Sequence, residues 1–132
     1  MKSESAILNE TRLRLSELGH TNFRINVGQA WTGAKIERLH DGSIVIYEPR
    51  PFKTGVPTGF SDLFGILSVE ITPEMVGQTV GIFYALEVKS SKGRVSIEQQ
   101  NFLDFVQKQG GISGIIRTPD DINNILIMKG KL

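Results

Sequence analysis

The sequence contains no cysteine at all. This absence excludes disulfide bonds and thiolate metal sites, so any bound metal must use oxygen or histidine ligands. No apolar run reaches the length that crosses a bilayer, and the N-terminus, MKSESAILNETRLRL, lacks the apolar segment of a signal peptide. We therefore expect a soluble cytoplasmic protein without membrane contacts.

Strong charge of one sign is also missing, because the formal net charge is only +1. This balance neither favours nor excludes nucleic acid as a partner until the charges are placed. Two basic clusters are candidate DNA-phosphate contacts, although such clusters are commonly just solvated loops. They are Lys89, Lys92 and Arg94, and Arg50 and Lys53.

At 132 residues the chain has the length of one domain, and we predict a single core over residues 1–132. The apolar spacing predicts a first helix over residues 4–18 that ends at Gly19. A second helix is predicted from the N-cap Ser96 to Gln109, and a third begins at Thr118. The inner face of the first helix is expected to carry Glu4, Ile7, Leu8, Thr11, Leu15 and Leu18.

Between the helices the sequence alternates strand and turn signals. It predicts a short strand in FRINVG, an inserted hairpin near residues 28–48, strands within residues 60–72 and 79–89, and a buried strand in GISGIIRT. The predicted class is α/β, with the order αβ, an irregular insertion, then ββαβα.

Charged residues occupy the end of the strand predicted over residues 81–89. Alternation places Ile82, Tyr84, Leu86 and Val88 on one face, and Phe83, Ala85, Glu87 and Lys89 on the other. Both faces are apolar until the last two positions of the second face, which is typical of a central strand whose end opens on a cleft. The alternative interpretation is a frayed strand end with a solvated ion pair.

Asp62 adds a second carboxylate, because it lies in an otherwise apolar strand segment, GFSDLFGI. Taken alone, it is a turn or cap residue. Together with Glu87 and Lys89 it provides two carboxylates for a hard divalent cation and an ammonium beside them. This combination suits metal-assisted hydrolysis of a phosphodiester.

These residues carry a family resemblance. GFSD followed by EVK resembles the PD-(D/E)XK nuclease signature, with Ser61 where that family often has proline. The longer segments FRINVGQAWTG, EPRP, GVPTGFSDLFGI, FYALEVKSSKGRVSIEQQNFLDFV and GGISGII resemble a stand-alone VRR-NUC domain of phage or prophage type. The resemblance implies a restriction-endonuclease-like αβββαβα core with a mixed central sheet and an inserted hairpin, acting in a bacterial host cell.

The resemblance also implies residue roles. Asp62 and Glu87, with the Val88 backbone carbonyl, would bind Mg²⁺ or Mn²⁺, and Lys89 would serve the nucleophilic water. A first-helix glutamate and a second-helix glutamine are implied as well. Glu4, acting through water, is preferred to Glu10, and Gln99 is preferred to Gln100, because each preferred residue shares a face with core positions.

We therefore predict a Mg²⁺- or Mn²⁺-dependent structure-selective DNA endonuclease. The resemblance favours a homodimer that resolves four-way (Holliday) junctions, since two symmetric incisions need two sites. Exposed apolar residues such as Leu13 and Trp31 are a further hint of a dimer, although they could simply cover the sheet. The alternatives are a non-catalytic DNA-binding module on the same fold, or a nuclease on flaps or plain duplex. No nucleotide cofactor is expected, because KSSKGR lacks P-loop spacing.

Overall fold

The structure, a computed structural model, describes residues 1–26 and 28–126. The chain folds as two compact units, Met1–Gly65 and Ile66–Leu132. The prediction of one domain over residues 1–132 stays a prediction. Among the residues described, none of the helices has the length and apolar character needed to cross a membrane.

The first unit begins with helix α1, Glu4–Glu17, which forms at the predicted place. Ser3 caps its start, because its side chain accepts a hydrogen bond from the Ala6 N–H at 3.2 Å. The helix ends before Gly19, whose φ of 79° is a left-handed conformation that glycine adopts without a steric penalty.

The predicted inner face of α1 is only partly correct. Leu8 and Leu15 are half-buried, but Ile7 and Leu18 are exposed, as is Thr11. The helix instead turns Arg12 inward, and the Arg12 Nε donates to the Asn22 side chain at 3.1 Å. This polar contact places Arg12 on the side of the helix that faces the following strand, whereas Ile7 is on the exposed side. An apolar pattern alone does not predict a polar contact of this kind.

Six strands follow in or at the end of the first unit. They are β1 (Thr21–Arg24), β2 (Gln29–Thr32), β3 (Lys35–Arg38), β4 (Ile44–Tyr47), β5 (Arg50–Lys53) and β6 (Leu63–Ile66). Strands β1 and β6 form a two-stranded sheet. The ring centroids of Phe23 and Phe64 lie 5.4 Å apart, and those of Phe60 and Phe64 lie 5.7 Å apart. An aromatic cluster therefore stabilises the β1–β6 pair.

The insertion is one interrupted β-hairpin that is longer than predicted. Strands β3 and β4 pair around the Asp41–Gly42 turn, and β2 and β5 pair at the base of the hairpin, both antiparallel. At the turn, hydrogen bonds from the side chain and backbone of Ser43 lower the pKa of Asp41. The insertion thus spans residues 29–53 and not 28–48, because β5 continues the ladder that β2 begins.

The second unit contains a parallel βαβ motif. Its elements are a 3₁₀ turn (Pro73–Met75), β7 (Tyr84–Val88), α2 (Ile97–Lys108), β8 (Ile112–Ile116), a 3₁₀ turn (Pro119–Asp121) and α3 (Ile122–Ile125). Strands β7 and β8 pair in parallel, so Glu87 is opposite Ile115. Leu103 and Val106 of α2 and Ile116 of β8 are buried, so the helix packs on this strand pair. The buried Ser113 hydroxyl donates to the Leu103 carbonyl at 2.6 Å, which satisfies both groups.

The order of elements follows the predicted αβββαβα pattern once β2–β5 are counted as the insertion. The predicted mixed central sheet is not what the described residues form, because their strands make four separate two-stranded sheets. The strand expected over residues 60–72 is confined to β6, and the apolar residues after it, including Val69 and Ile71, are exposed. An alternating apolar pattern cannot make a strand unless another strand satisfies its backbone groups.

Gly65 marks a close approach of β6 to β1. A Cβ atom at this position would lie 1.9 Å from the Thr21 carbonyl oxygen. We expect Gly65→Ala to lower the free energy of unfolding by roughly 1–3 kcal/mol or more, because backbone must move to relieve the overlap. Gly81→Ala is the matched control, since a Cβ there meets nothing within 4 Å and Gly81 has no positive φ. Equal urea midpoints for the two variants would contradict this account of the β1–β6 contact.

Candidate active site

Glu87 and Lys89 lie at the carboxyl end of β7, where the strand emerges from the βαβ motif. They are two residues apart on an extended chain, so their side chains share a face. The Lys89 Nζ lies 3.1 Å from the Glu87 Oε1, and the two side chains are only 21% and 27% exposed. A solvated ion pair at a frayed strand end would be more exposed than this. The low exposure therefore favours a pre-formed site.

Both faces of β7 are half-buried at its centre, through Ala85 and Leu86, and only the face of Glu87 stays half-buried to the end of the strand. Ala85, Glu87 and Lys89 are half-buried, whereas Tyr84 and Val88 on the opposite face are exposed. The prediction that both faces of this strand are covered is therefore wrong for its two ends.

Gln99 connects the start of α2 to the glutamate. It occupies the third helical position, where its side-chain oxygen accepts the Ser96 N–H at 3.0 Å and completes a capping box. Its Nε2 donates to the Glu87 Oε1 at 2.7 Å. Because the Ser96 N–H requires an acceptor, the amide oxygen must face the cap and the NH₂ group must face Glu87. The helix cap thereby orients the donor that holds the glutamate.

Gln100, the other candidate, donates to Asp104 at 2.8 Å on the exposed side of α2. The geometry therefore favours Gln99, as the helical-face argument predicted.

The oxygen atoms left at this strand end suit a hard divalent cation. Lys89 and Gln99 both contact the Oε1 of Glu87, and neither contact uses Oε2. The Lys89 N–H donates to the Ile116 carbonyl and the Phe83 carbonyl accepts from Ile112, so the odd-numbered residues of β7 bond to β8. Since alternate residues point to opposite edges of a strand, the Val88 carbonyl faces away from β8. A carboxylate oxygen and a backbone carbonyl are ligands that Mg²⁺ and Mn²⁺ prefer.

A tight turn after Lys89 presents the basic cluster. The Gly93 N–H donates to the Ser90 carbonyl at 3.0 Å, and a Cβ at Gly93 would lie 3.3 Å from the Cβ of Lys89. The turn displays Lys92 and Arg94, which are both exposed. The two predicted phosphate contacts therefore lie beside the half-buried lysine.

Arg117 is a further cation at this edge that the sequence reasoning missed. It directly follows β8, and its Nη1 donates to the Ser90 carbonyl. The Asp121 carboxylate accepts the backbone N–H groups of Arg117 and Thr118 at 2.7 and 2.8 Å, and these bonds lower the pKa of Asp121. The position of Arg117 at the end of a predicted strand could have indicated that it lies near Glu87 and Lys89. The carboxyl ends of parallel strands meet at one edge of a sheet.

In the first unit, Asp62 and Glu4 meet at one cavity. Asp62 is exposed and directly precedes β6, so it is not within the strand as predicted. Its backbone carbonyl accepts the Ile25 N–H at 3.2 Å. The cavity measures about 250 Å³ and is lined by Glu4, Ser5, Leu8, Arg24, Asn26 and Asp62.

Glu10, the alternative to Glu4, instead binds the Lys2 ammonium at 2.6 Å on the exposed side of α1. The cavity therefore favours Glu4.

Asp62 and Glu87 belong to different units, and each is placed within its own unit. Over residues 1–26 and 28–126, no group of three or more histidine or acidic side chains is arranged to hold a metal ion. The oxygen atoms that could bind a metal ion are thus a carboxylate and a carbonyl in the second unit and two carboxylates in the first. Arg50 and Lys53, the remaining predicted DNA contacts, are exposed on β5.

Replacing Gln99 with glutamate keeps its contact with the Ser96 N–H and removes its hydrogen bond to Glu87. Glutamate is an equally good capping-box residue, so Gln99→Glu should keep the cap of α2, and its thermal midpoint should fall at neutral pH, where the carboxylates repel each other, and return toward wild type at lower pH. It removes the donor to Glu87 and places two carboxylates in contact, so a higher pH is needed to ionise both. We expect phosphodiester cleavage to fall by about 10- to 100-fold and its pH profile to move to higher pH.

The control for this prediction is Gln100→Ala, which should cleave like wild type. An unchanged rate and pH profile for Gln99→Glu would show that the Gln99–Glu87 contact has no part in the reaction.

One comparison with known proteins gave a match. A family model described as VRR-NUC domain matches residues 49–118, which is more than half of the chain. The matched region includes Asp62, Glu87, Lys89 and Gln99, whereas Glu4 lies outside it. Comparisons with curated proteins and with solved structures returned no match.

Proposed function

The chain belongs to the VRR-NUC domain family, and from this premise we propose that it is a metal-dependent, structure-selective DNA endonuclease. Membership in the family confirms the resemblance to a VRR-NUC domain and indicates a nuclease, while the phage or prophage origin and the PD-(D/E)XK core stay predictions. The observation that carries the proposal is the half-buried cluster in which Lys89 and Gln99 both contact one oxygen of Glu87. The order of elements also fits a PD-(D/E)XK core, with β2–β5 as its insertion.

The proposed metal ligands are oxygen atoms. Asp62, Glu87 and the Val88 carbonyl would hold Mg²⁺ or Mn²⁺, with Glu4 acting through a water molecule. A bound divalent cation of this kind supplies polarisation of the phosphoryl oxygen and activation of water.

The chain's own residues have distinct tasks around that chemistry. The Lys89 ammonium orients the attacking water and offsets negative charge that gathers on phosphorus in the transition state. Gln99 fixes the rotamer of Glu87, because its NH₂ group is itself held by the helix cap. Lys92, Arg94 and Arg117 neutralise phosphates of the bound strand.

The proposed substrate is branched DNA, and four-way junctions are favoured over flaps and plain duplex. A homodimer would place two identical sites on opposing strands, as symmetric incision requires. A non-catalytic DNA-binding module is the second candidate. It is disfavoured because a module that only binds has no need for a half-buried lysine–glutamate pair whose amide donor is fixed by a helix cap.

A cleavage panel tests the proposed function. Labelled plain duplex, flap, nicked, splayed and four-way DNA are incubated with the protein and Mg²⁺ or Mn²⁺, and light scattering at micromolar concentration measures the oligomer. We expect paired symmetric cuts in the four-way DNA by a dimer. Binding without cleavage of any substrate would favour the non-catalytic module, and a monomer that cuts only flaps would contradict the resolvase proposal.

A further inference from the structure

The base of the insertion is an exposed two-stranded segment, here called the β2–β5 ribbon, made of Gln29–Thr32 and Arg50–Lys53. Every residue of both strands is exposed. Strands that serve a fold bury at least one face, and an isolated two-stranded ribbon has little stability of its own. The ribbon is therefore poorly explained by folding alone.

The pairing register assigns the ribbon's side chains to its two faces. Trp31 is opposite Pro51 and Gln29 is opposite Lys53, so Trp31 and Lys53 share one face. Ala30 is opposite Phe52 and Thr32 is opposite Arg50, so Phe52 and Arg50 share the other face. Each face thus carries one aromatic ring and one cation.

These side chains are available to a partner. Trp31 is 57% exposed and Phe52 is 53% exposed. Within residues 1–26 and 28–126, neither Arg50 nor Lys53 forms an ion pair, and the two strands contain no acidic residue.

The distal part of the hairpin differs in charge. There, Lys35 lies 3.4 Å from the Glu37 carboxylate and 5.3 Å from the centre of the Tyr47 ring. The distal part therefore mixes acidic and basic residues: Lys35 is paired with Glu37, whereas Arg38, like Arg50 and Lys53, forms no ion pair within residues 1–26 and 28–126.

A partner that matches both faces must be anionic and must present flat rings. DNA with unpaired or unstacked bases at a branch meets both conditions, because bases stack on aromatic side chains while phosphates bind arginine and lysine. We propose that the β2–β5 ribbon binds DNA at a branch point, stacking bases on Trp31 and Phe52 and holding phosphates with Lys53 and Arg50. The proposal rests on the proposed nuclease function and assigns its choice of substrate to this ribbon.

Branched DNA fits the ribbon better than intact duplex or a second copy of the chain. In an intact duplex the base faces are covered by stacking, so neither ring would have a surface to contact. At a branch two arms diverge, and a ribbon with an aromatic ring on each face can contact both. A second copy would bring the unpaired cations of two ribbons together, which is unfavourable.

One of the two strands of the ribbon lies outside the region that the family model matches. The family match begins at residue 49, so β2 with Trp31 precedes it and only β5 is included.

The ribbon can be tested directly because Trp31 is the only tryptophan in the chain. Its fluorescence is recorded during titration with four-way, splayed and blunt duplex DNA of equal length, without divalent metal so that no cleavage occurs. We expect strong quenching by the two branched DNAs and little by the duplex. Absent quenching, or equal quenching by all three, would overturn the proposal.

Variants define the contacts through the anisotropy of labelled splayed DNA. Trp31→Ala and Phe52→Ala should each weaken binding roughly 5- to 100-fold, and Trp31→Phe should bind nearly as well as wild type. Arg50→Gln should reduce the slope of log affinity against log salt by about 1. The matched control is Ile36→Ala, because Ile36 is also 57% exposed but lies on the distal hairpin, and its affinity should not change.

Other outcomes have equally definite meanings. Equal losses in Ile36→Ala and Trp31→Ala would overturn the assigned contacts, and a Trp31 emission that depends on protein concentration without DNA would show an interface between copies instead. Cleavage of branched DNA without quenching would remove the ribbon proposal and leave the nuclease intact. Quenching by branched DNA without cleavage in Mg²⁺ or Mn²⁺ would support the ribbon while contradicting the nuclease.

Discussion

Glu87→Gln is expected to lower the rate of DNA cleavage by about a thousandfold or more, while the thermal midpoint and DNA binding without metal stay close to wild type. Glutamine keeps the shape of the side chain, and its oxygen can still accept from the Gln99 Nε2. The lost negative charge removes a metal ligand, which is worth several kcal/mol in the transition state. Binding is retained because removal of a carboxylate also reduces repulsion of the phosphates.

The matched control is Glu98→Gln, since Glu98 is an exposed carboxylate in the first turn of α2. This variant should cleave like wild type. Asp62→Asn should behave like Glu87→Gln, because Asp62 is the proposed metal ligand of the first unit. Wild-type cleavage by Glu87→Gln would remove the metal assignment at β7.

Lys89→Ala is expected to reduce the single-turnover rate by about 10²- to 10³-fold and to change DNA affinity little. The Lys89 ammonium is only 21% exposed and lies 3.1 Å from Glu87, and its proposed role is to act on the reacting phosphate and not on the distant backbone. Removing a positioned charge of this kind affects the transition state more than the ground state.

The comparison for this prediction is a double variant of the exposed turn, Lys92→Ala with Arg94→Ala. It should weaken binding and flatten the salt dependence of binding, with a smaller effect on the single-turnover rate at saturating protein. If Lys89→Ala and the double variant changed rate and affinity in the same proportion, Lys89 would be just another phosphate contact.

Much of the candidate site could be predicted from the sequence because its signals are local. Glu87 and Lys89 share a face through strand alternation, and Ser96 and Gln99 form a capping box through their three-residue spacing. The choice of Glu4 over Glu10 followed from helical periodicity and stays a prediction; Glu4 is exposed and lines one cavity with Asp62.

Features that depend on pairing between distant segments were predicted less well. The hairpin was predicted to be too short, because only the pairing of β5 with β2 shows where it ends. The inner face of α1 was misassigned because Arg12 is held by Asn22, a polar contact that no apolar pattern contains. Arg117 was missed for a similar reason, since its contact with Ser90 joins the ends of two strands that are far apart in the chain.

The most direct measurement of the central claim is the single-turnover cleavage rate of a labelled four-way junction as a function of Mg²⁺ concentration, for wild type and Glu87→Gln in parallel. We expect no product in EDTA, a rate for wild type that rises and saturates with Mg²⁺, and almost no product for Glu87→Gln at any concentration. Equal rates for the two proteins, or product from wild type in EDTA, would contradict a metal-dependent nuclease centred on Glu87.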